Sequence, residues 1–144
     1  MKACSIYKTN KKFKIVTVCP TNTGTYVLRE PIYILPQNVD ERELGNKIID
    51  SLNSSKEVSY YEDSIGAKGI LKLMKEASYR KLYLNSSSCT MYLEDNTLTI
   101  KPNICKDPNA GLEVVEQDIQ RMDYSESRKT EIAYRVVKIL EKKY

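Results

Sequence analysis

The sequence predicts an α+β domain: a mainly antiparallel β-sheet with about three helices packed against it. Three observations carry that expectation. Short β-branched runs separated by turn residues fill residues 3–35. A tight Asp95-Asn96 turn joins two more such runs. Two segments with helical apolar spacing stand apart from these strands, so the chain does not read as regular β-α alternation.

Taken in order, ACSIYK (3–8) and FKIVTVC (13–19) are β-rich and joined by the polar run Thr9-Asn10-Lys11-Lys12, which makes a hairpin. Thr21-Asn22-Thr23-Gly24 has turn chemistry. TYVLRE (25–30) and PIYIL (31–35) read as third and fourth strands. Pro31 and Pro36 set them at a sheet edge or an element boundary, because Pro cannot donate to a ladder. A helix is expected over Asp40–Leu52, with Asp40 capping, Glu43 completing a capping box, and Leu44, Ile48, Ile49 and Leu52 forming one stripe. Gly45 interrupts that helix, and the expected reason is close approach to the sheet. A short helix follows from Gly66 to Ala77. RKLYL (80–84), CTMYLE (89–94) and TLTIK (97–101) read as strands, with Pro102 to Gly111 a loop and Leu112–Glu116 one more strand. The last helix takes Ser125 or Ser127 as its cap and buries Ile132, Ala133, Val136, Val137 and Leu140.

With 144 residues and no linker-like stretch, residues 1–144 form one domain with an ordinary core. The four cysteines, Cys4, Cys19, Cys89 and Cys105, contain no CxxC pair. The N-terminus lacks the apolar stretch of a signal peptide, and no run is long enough for a membrane span. Free thiols in a reducing cytoplasm are therefore expected.

The missing groups narrow the function. The chain has no His, which removes the commonest general base, the Ser-His-Asp and Cys-His arrangements, and His-based metal sites. Gly66-Ala67-Lys68-Gly69 lacks the spacing of a phosphate cradle. Glu62-Asp63 and Glu116-Asp118 are carboxylate pairs with no sequence feature to shift their pKa values. No catalytic residue, cofactor or metal is expected, and the protein is read as a binder and not an enzyme.

Charge supplies the candidate surfaces. The net +4 is segregated: Lys2 to Lys14, residues 68–81 and the C-terminal helix are basic, whereas 40–63 and 107–126 are acidic. Matched fields of opposite sign speed and select encounter with a protein partner. Eleven tyrosines against one Phe and no Trp offer half-buried rings suited to sheet faces or contact surfaces. The candidate interface combines both signals: Tyr60, Tyr61, Glu62 and Asp63, with Glu113, Glu116, Asp118, Asp123 and Tyr124. A rival reading is a nucleic-acid-binding module built on the basic N-terminal hairpin, with Tyr7 and Phe13 interleaved, and on the C-terminal helix.

The segments SIYKTNKKFKIVTV, REPIYILPQNVDERELGNKIIDSL, GAKGILKLMKEASYRKLYL and CTMYLEDNTLTIKP, in that order, resemble immunity proteins of bacterial contact-dependent growth inhibition systems. The likeness spans nearly the whole chain and rests on fold-forming patterns without a reactive signature. It implies a cytoplasmic antitoxin whose partner is the C-terminal toxin domain of a large secreted or surface protein, often a nuclease. It implies no membrane and no metal partner, and ranks nucleic acid behind the toxin domain. It carries no contact residue over to this chain.

Overall fold

Every strand in the principal ladder pairs antiparallel, and one long-range pairing organises the sheet. Lys2–Lys8 (β1) pairs with Lys12–Pro20 (β2) on one side and with Ser87–Glu94 (β4) on the other. In the computed structural model, which describes residues 1–59 and 66–142, seven strands run in the order β3-β2-β1-β4-β5-β6, with β7 also paired to β5. Here β3 is Tyr26–Pro36, β5 Thr97–Asp107, β6 Gly111–Val114 and β7 Gln120–Asp123. Four helices complete the described fold: α1 (Glu41–Ser54), α2 (Gly66–Met74), α3 (Tyr79–Leu84) and α4 (Lys129–Glu141). The α+β class is as expected.

One face of the sheet holds the main core. Alternation points Cys4 and Ile6 of β1, Phe13 and Ile15 of β2, Cys89 and Met91 of β4, and Leu98 and Ile100 of β5 to this side. Leu44, Ile48 and Leu52 of α1 and Ile132, Val136 and Leu140 of α4 close over them. Asp40 caps α1 as expected, its carboxylate accepting from the Glu43 amide at 2.8 Å. A Cβ built on Gly45 would lie 2.4 Å from the Lys129 carbonyl oxygen. The glycine is thus needed against the first turn of α4 and not against the sheet.

The opposite face carries a smaller cluster, with Tyr7 and Val16 beneath Ile70 and Met74 of α2 and Leu82 of α3. The buried Lys14 ammonium pairs with Glu76, in the connection between α2 and α3, and ties this layer to the sheet. Polar groups continue the same face along the strands, where Ser5 and Thr90 share a 3.0 Å hydrogen bond.

Three expectations need correction. Residues 25–35 are one strand, β3, and not two. Its register with β2 slips between Val16 and Thr17, and Glu30-Pro31 is a local irregularity that leaves the strand continuous. Thr17 donates its hydroxyl to the Pro31 carbonyl at 2.9 Å and stabilises that bulge. The expected edge position is correct, since β3 ends the strand order. RKLYL lies in α3 and not in a strand: Ser78 caps it, accepting from the Lys81 amide at 3.1 Å, and Leu82 turns into the second cluster. The loop expected from Pro102 is mostly ladder, because β5 runs on to Asp107.

The hairpin between β4 and β5 has Asp95 and Asn96 at φ 50° and 64°, the left-handed pair that a two-residue turn of this hand requires. Ser125 caps a short 3-10 turn, Glu126–Arg128, that leads directly into α4.

Candidate partner-binding surface

β5 shares its outer side between two short strands. β6 pairs with its C-terminal half, β7 with its N-terminal half, and a 3-10 turn at Glu116–Asp118 lies between them. This arrangement sets Glu113, Glu116, Asp118, Asp123 and Tyr124 along one border of the sheet. Glu113 is opposite Ile104 and Asp123 opposite Thr97. At about 3.3 Å per residue, those positions lie roughly 23 Å apart along β5. Tyr60, Tyr61, Glu62 and Asp63 lie outside the described residues.

The border is less uniformly acidic than the sequence segment. Glu113, Glu116, Asp123 and Glu126 are exposed, whereas Asp118 pairs with Lys142 just beyond α4, at 3.6 Å. Arg121 is exposed between the carboxylates. The Arg128 guanidinium donates to the Asp123 carbonyl at 3.3 Å, and Asn53 of α1 donates to the Glu126 carboxylate at 3.1 Å. Tyr124 packs its ring on the main core. Its hydroxyl is buried with no hydrogen-bond partner among the described residues, and burial, ahead of nearby Glu126 and Cys4, raises its pKa. The ring therefore anchors the border to the core more than it offers itself to a partner.

The basic segments behave differently. Lys68, Lys72, Lys75, Arg80 and Lys81 are all exposed on the α2–α3 layer, and none forms an ion pair with a described residue. Glu76, the carboxylate between them, is turned inward to Lys14. The rings interleaved with the N-terminal lysines are not surface groups: Tyr7 and Phe13 are buried in the two cores. The exposed aromatic contact lies elsewhere. Tyr26 meets Tyr92 edge-on, with centroids 6.0 Å apart, and the Lys101 ammonium stands 4.9 Å above the Tyr92 ring. Tyr26 lies on β3 and Tyr92 on β4, strands separated in the sheet by β2 and β1, so composition hinted at such a site without locating it.

Reactive groups are muted. Burial holds the Cys4 thiol up at about 12 and raises that of Cys89 further; Cys19 is buried and Cys105 partly so. A thiol held in its neutral form is a poor nucleophile. Among the described residues, no group of three His, Cys, Asp or Glu could hold a metal ion. No described helix is long and apolar enough to cross a membrane.

These features define a class: an α+β domain whose described surface separates an acidic border from a basic layer. Comparison with known proteins places the fold more narrowly. No family model matches the chain, and no curated protein matches it. Among solved structures, a protein of unknown function from Neisseria meningitidis, NMB0488, has a TM-score of 0.73 at 16% identity, covering 95% of this chain and 93% of its own. A chain of the CdiA-CT/CdiI toxin and immunity complex from Yersinia pseudotuberculosis has a TM-score of 0.64 at 12% identity, covering 97% of each chain. At these identities the likeness is one of fold.

Proposed function

We propose that this chain is the immunity protein of a contact-dependent growth inhibition system. In the cytoplasm it binds the C-terminal toxin domain of a large secreted protein, a nuclease, and neutralises it by covering the active site or the path of the substrate. The observation that carries the reading is the fold shared end to end with a chain of a toxin and immunity complex. The physical argument agrees: blocking a site needs a rigid complementary surface and no proton-handling group.

A nuclease holds a polyanion with positive potential, so an inhibitor competes by presenting carboxylates. In this reading the toxin docks on the border carrying Glu113, Glu116, Asp123 and Glu126, with the sequence-predicted Tyr60, Tyr61, Glu62 and Asp63 as further contacts. Asp118 and Tyr124 support that border from within, through Lys142 and the core.

The test is co-purification and calorimetry with the toxin domain encoded upstream of this chain. Tight binding with loss of toxin activity is expected. Glu113→Lys combined with Glu116→Lys should weaken binding at least about tenfold at low salt without changing the melting temperature. Undiminished affinity in that variant rejects the acidic border; an active toxin in the presence of excess chain rejects the immunity reading itself.

A further inference from the structure

The two basic elements that the toxin reading leaves unused meet at one cleft. A cavity of about 630 Å³ opens at the end of the sheet where β1 turns into β2. Lys8, Thr9 and Asn10 line it from that turn, Tyr83 to Asn85 from the end of α3, Asn103 from β5, and Lys142 from the end of α4. On one side, Lys11 and Lys12 follow the turn directly. On the other, Arg80 and Lys81 lie one helical turn before Leu84, and Lys68, Lys72 and Lys75 extend the positive field along α2. Lys68 and Lys72 lie about 6 Å apart along the helix axis, so α2 presents a row of cations and not a single point.

The cleft mixes apolar groups of Leu84, Ile104 and Leu140 with polar groups that are partly unengaged. The side-chain amides of Asn10 and Asn85 form no hydrogen bond with a described residue, whereas Ser87 is committed to the Leu140 carbonyl at 2.6 Å. Asn103 donates toward Ser88 and Thr90. The Glu141 carboxylate also lines the cleft and is offset by Lys138 at 3.8 Å. Tyr83 adds a half-buried ring beside these amides. The volume falls in the range of small-ligand sites.

We propose that this end of the molecule binds single-stranded nucleic acid: phosphates run over the α2–α3 lysines and Arg80, and one base enters the amide-lined cleft. Cations in a row neutralise a phosphate backbone. Side-chain amides match the donor and acceptor edges of a base, which can reach a concave site only when it is unstacked. An acidic protein face would meet the same cations but would leave Asn10 and Asn85 unused. The cleft adjoins the carboxylate border at Lys142, which pairs with Asp118, but the substitutions that test the two surfaces share no residue, so the proposal stands or falls separately from the toxin reading.

Fluorescence anisotropy of the full chain with labelled oligo-uridine and oligo-thymidine probes of about twelve nucleotides tests it. Micromolar binding is expected at low salt, falling steeply as salt rises. Lys72→Glu, Lys75→Glu and Arg80→Glu together should reduce affinity at least about tenfold and flatten the log–log salt slope by about 2, as three lost phosphate contacts require. Asn10→Ala with Asn85→Ala should weaken binding a fewfold at unchanged slope. All five side chains are exposed, and circular dichroism verifies that the variants fold. No binding at low salt, binding insensitive to these changes, or equal affinity for polyglutamate overturns the proposal, the last in favour of an acidic protein partner.

Discussion

The two faces of the sheet solve different problems. The side under α1 and α4 is closed by apolar side chains from five strands and two helices, and nearly every member is fully buried. The side under α2 and α3 has a core of five residues, a buried ion pair and a polar strip along the strands. Stability therefore resides mainly on the first side. The second holds the layer whose exposed charged residues are all cationic, beside exposed Leu73 and Leu84. A domain that works by contact can vary such a layer while the first core keeps the fold.

The largest expected effect tests that asymmetry directly. Ile48→Ala, in α1, should cost about 4 kcal/mol in urea unfolding, and Ile70→Ala, in α2, about 2 kcal/mol, because the thinner layer can settle into the space left. Equal losses would show that both sides carry the fold alike. Next, Glu76→Gln leaves the Lys14 charge buried without its partner and should cost about 3 kcal/mol, whereas Lys14→Met with Glu76→Leu should stay within about 1 kcal/mol of the parent. If the single change proves harmless, the pair does not hold the α2–α3 layer.

A smaller effect follows pH. The Cys4 thiol, raised by burial from 9.0 to about 12, keeps its proton in the fold where the unfolded chain loses it. Its contribution to stability is fully present below about pH 9 and is lost as pH rises toward 12, so unfolding midpoints should fall across that window. Cys4→Ala should reduce the slope, Cys89 and Tyr7 accounting for alkaline loss that remains. The smallest expected effect is at Tyr124→Phe. It removes a buried hydroxyl that has no partner among the described residues, so the melting temperature should stay the same or rise slightly.

Legibility in the sequence follows the same division. The β1–β2 hairpin, the Asp95-Asn96 turn, the Asp40 cap and the stripe of α4 are local signals, and each appears where its residues place it, except that α4 buries Ile139 and leaves the expected Val137 only partly covered. Features that depend on distant partners were not readable. Pro31 reads as a break until Thr17 and β2 hold the bulge around it. Six residues of α3 are too few to display a helical period, and Leu82 and Leu84 mimic alternation. β7, Gln120–Asp123, is polar apart from Met122 and is a strand only because β5 supplies its ladder. Gly45 reads as a point of close approach, but the neighbour it meets, Lys129, is 84 positions away. The candidate border shows the same limit. Its carboxylates were visible as a segment, while the Lys142 pairing of Asp118 and the inward packing of Tyr124 arise only in three dimensions.

The β1–β4 pairing has a temporal consequence. β1 cannot complete its ladder until residues 87–94 have left the ribosome, and α1 stays uncovered until α4 follows. Contacts this distant along the chain make for slow closure of the fold. The nascent chain thus carries a finished hairpin and a waiting helix until residues 129–141 emerge, and the decisive collapse falls only then.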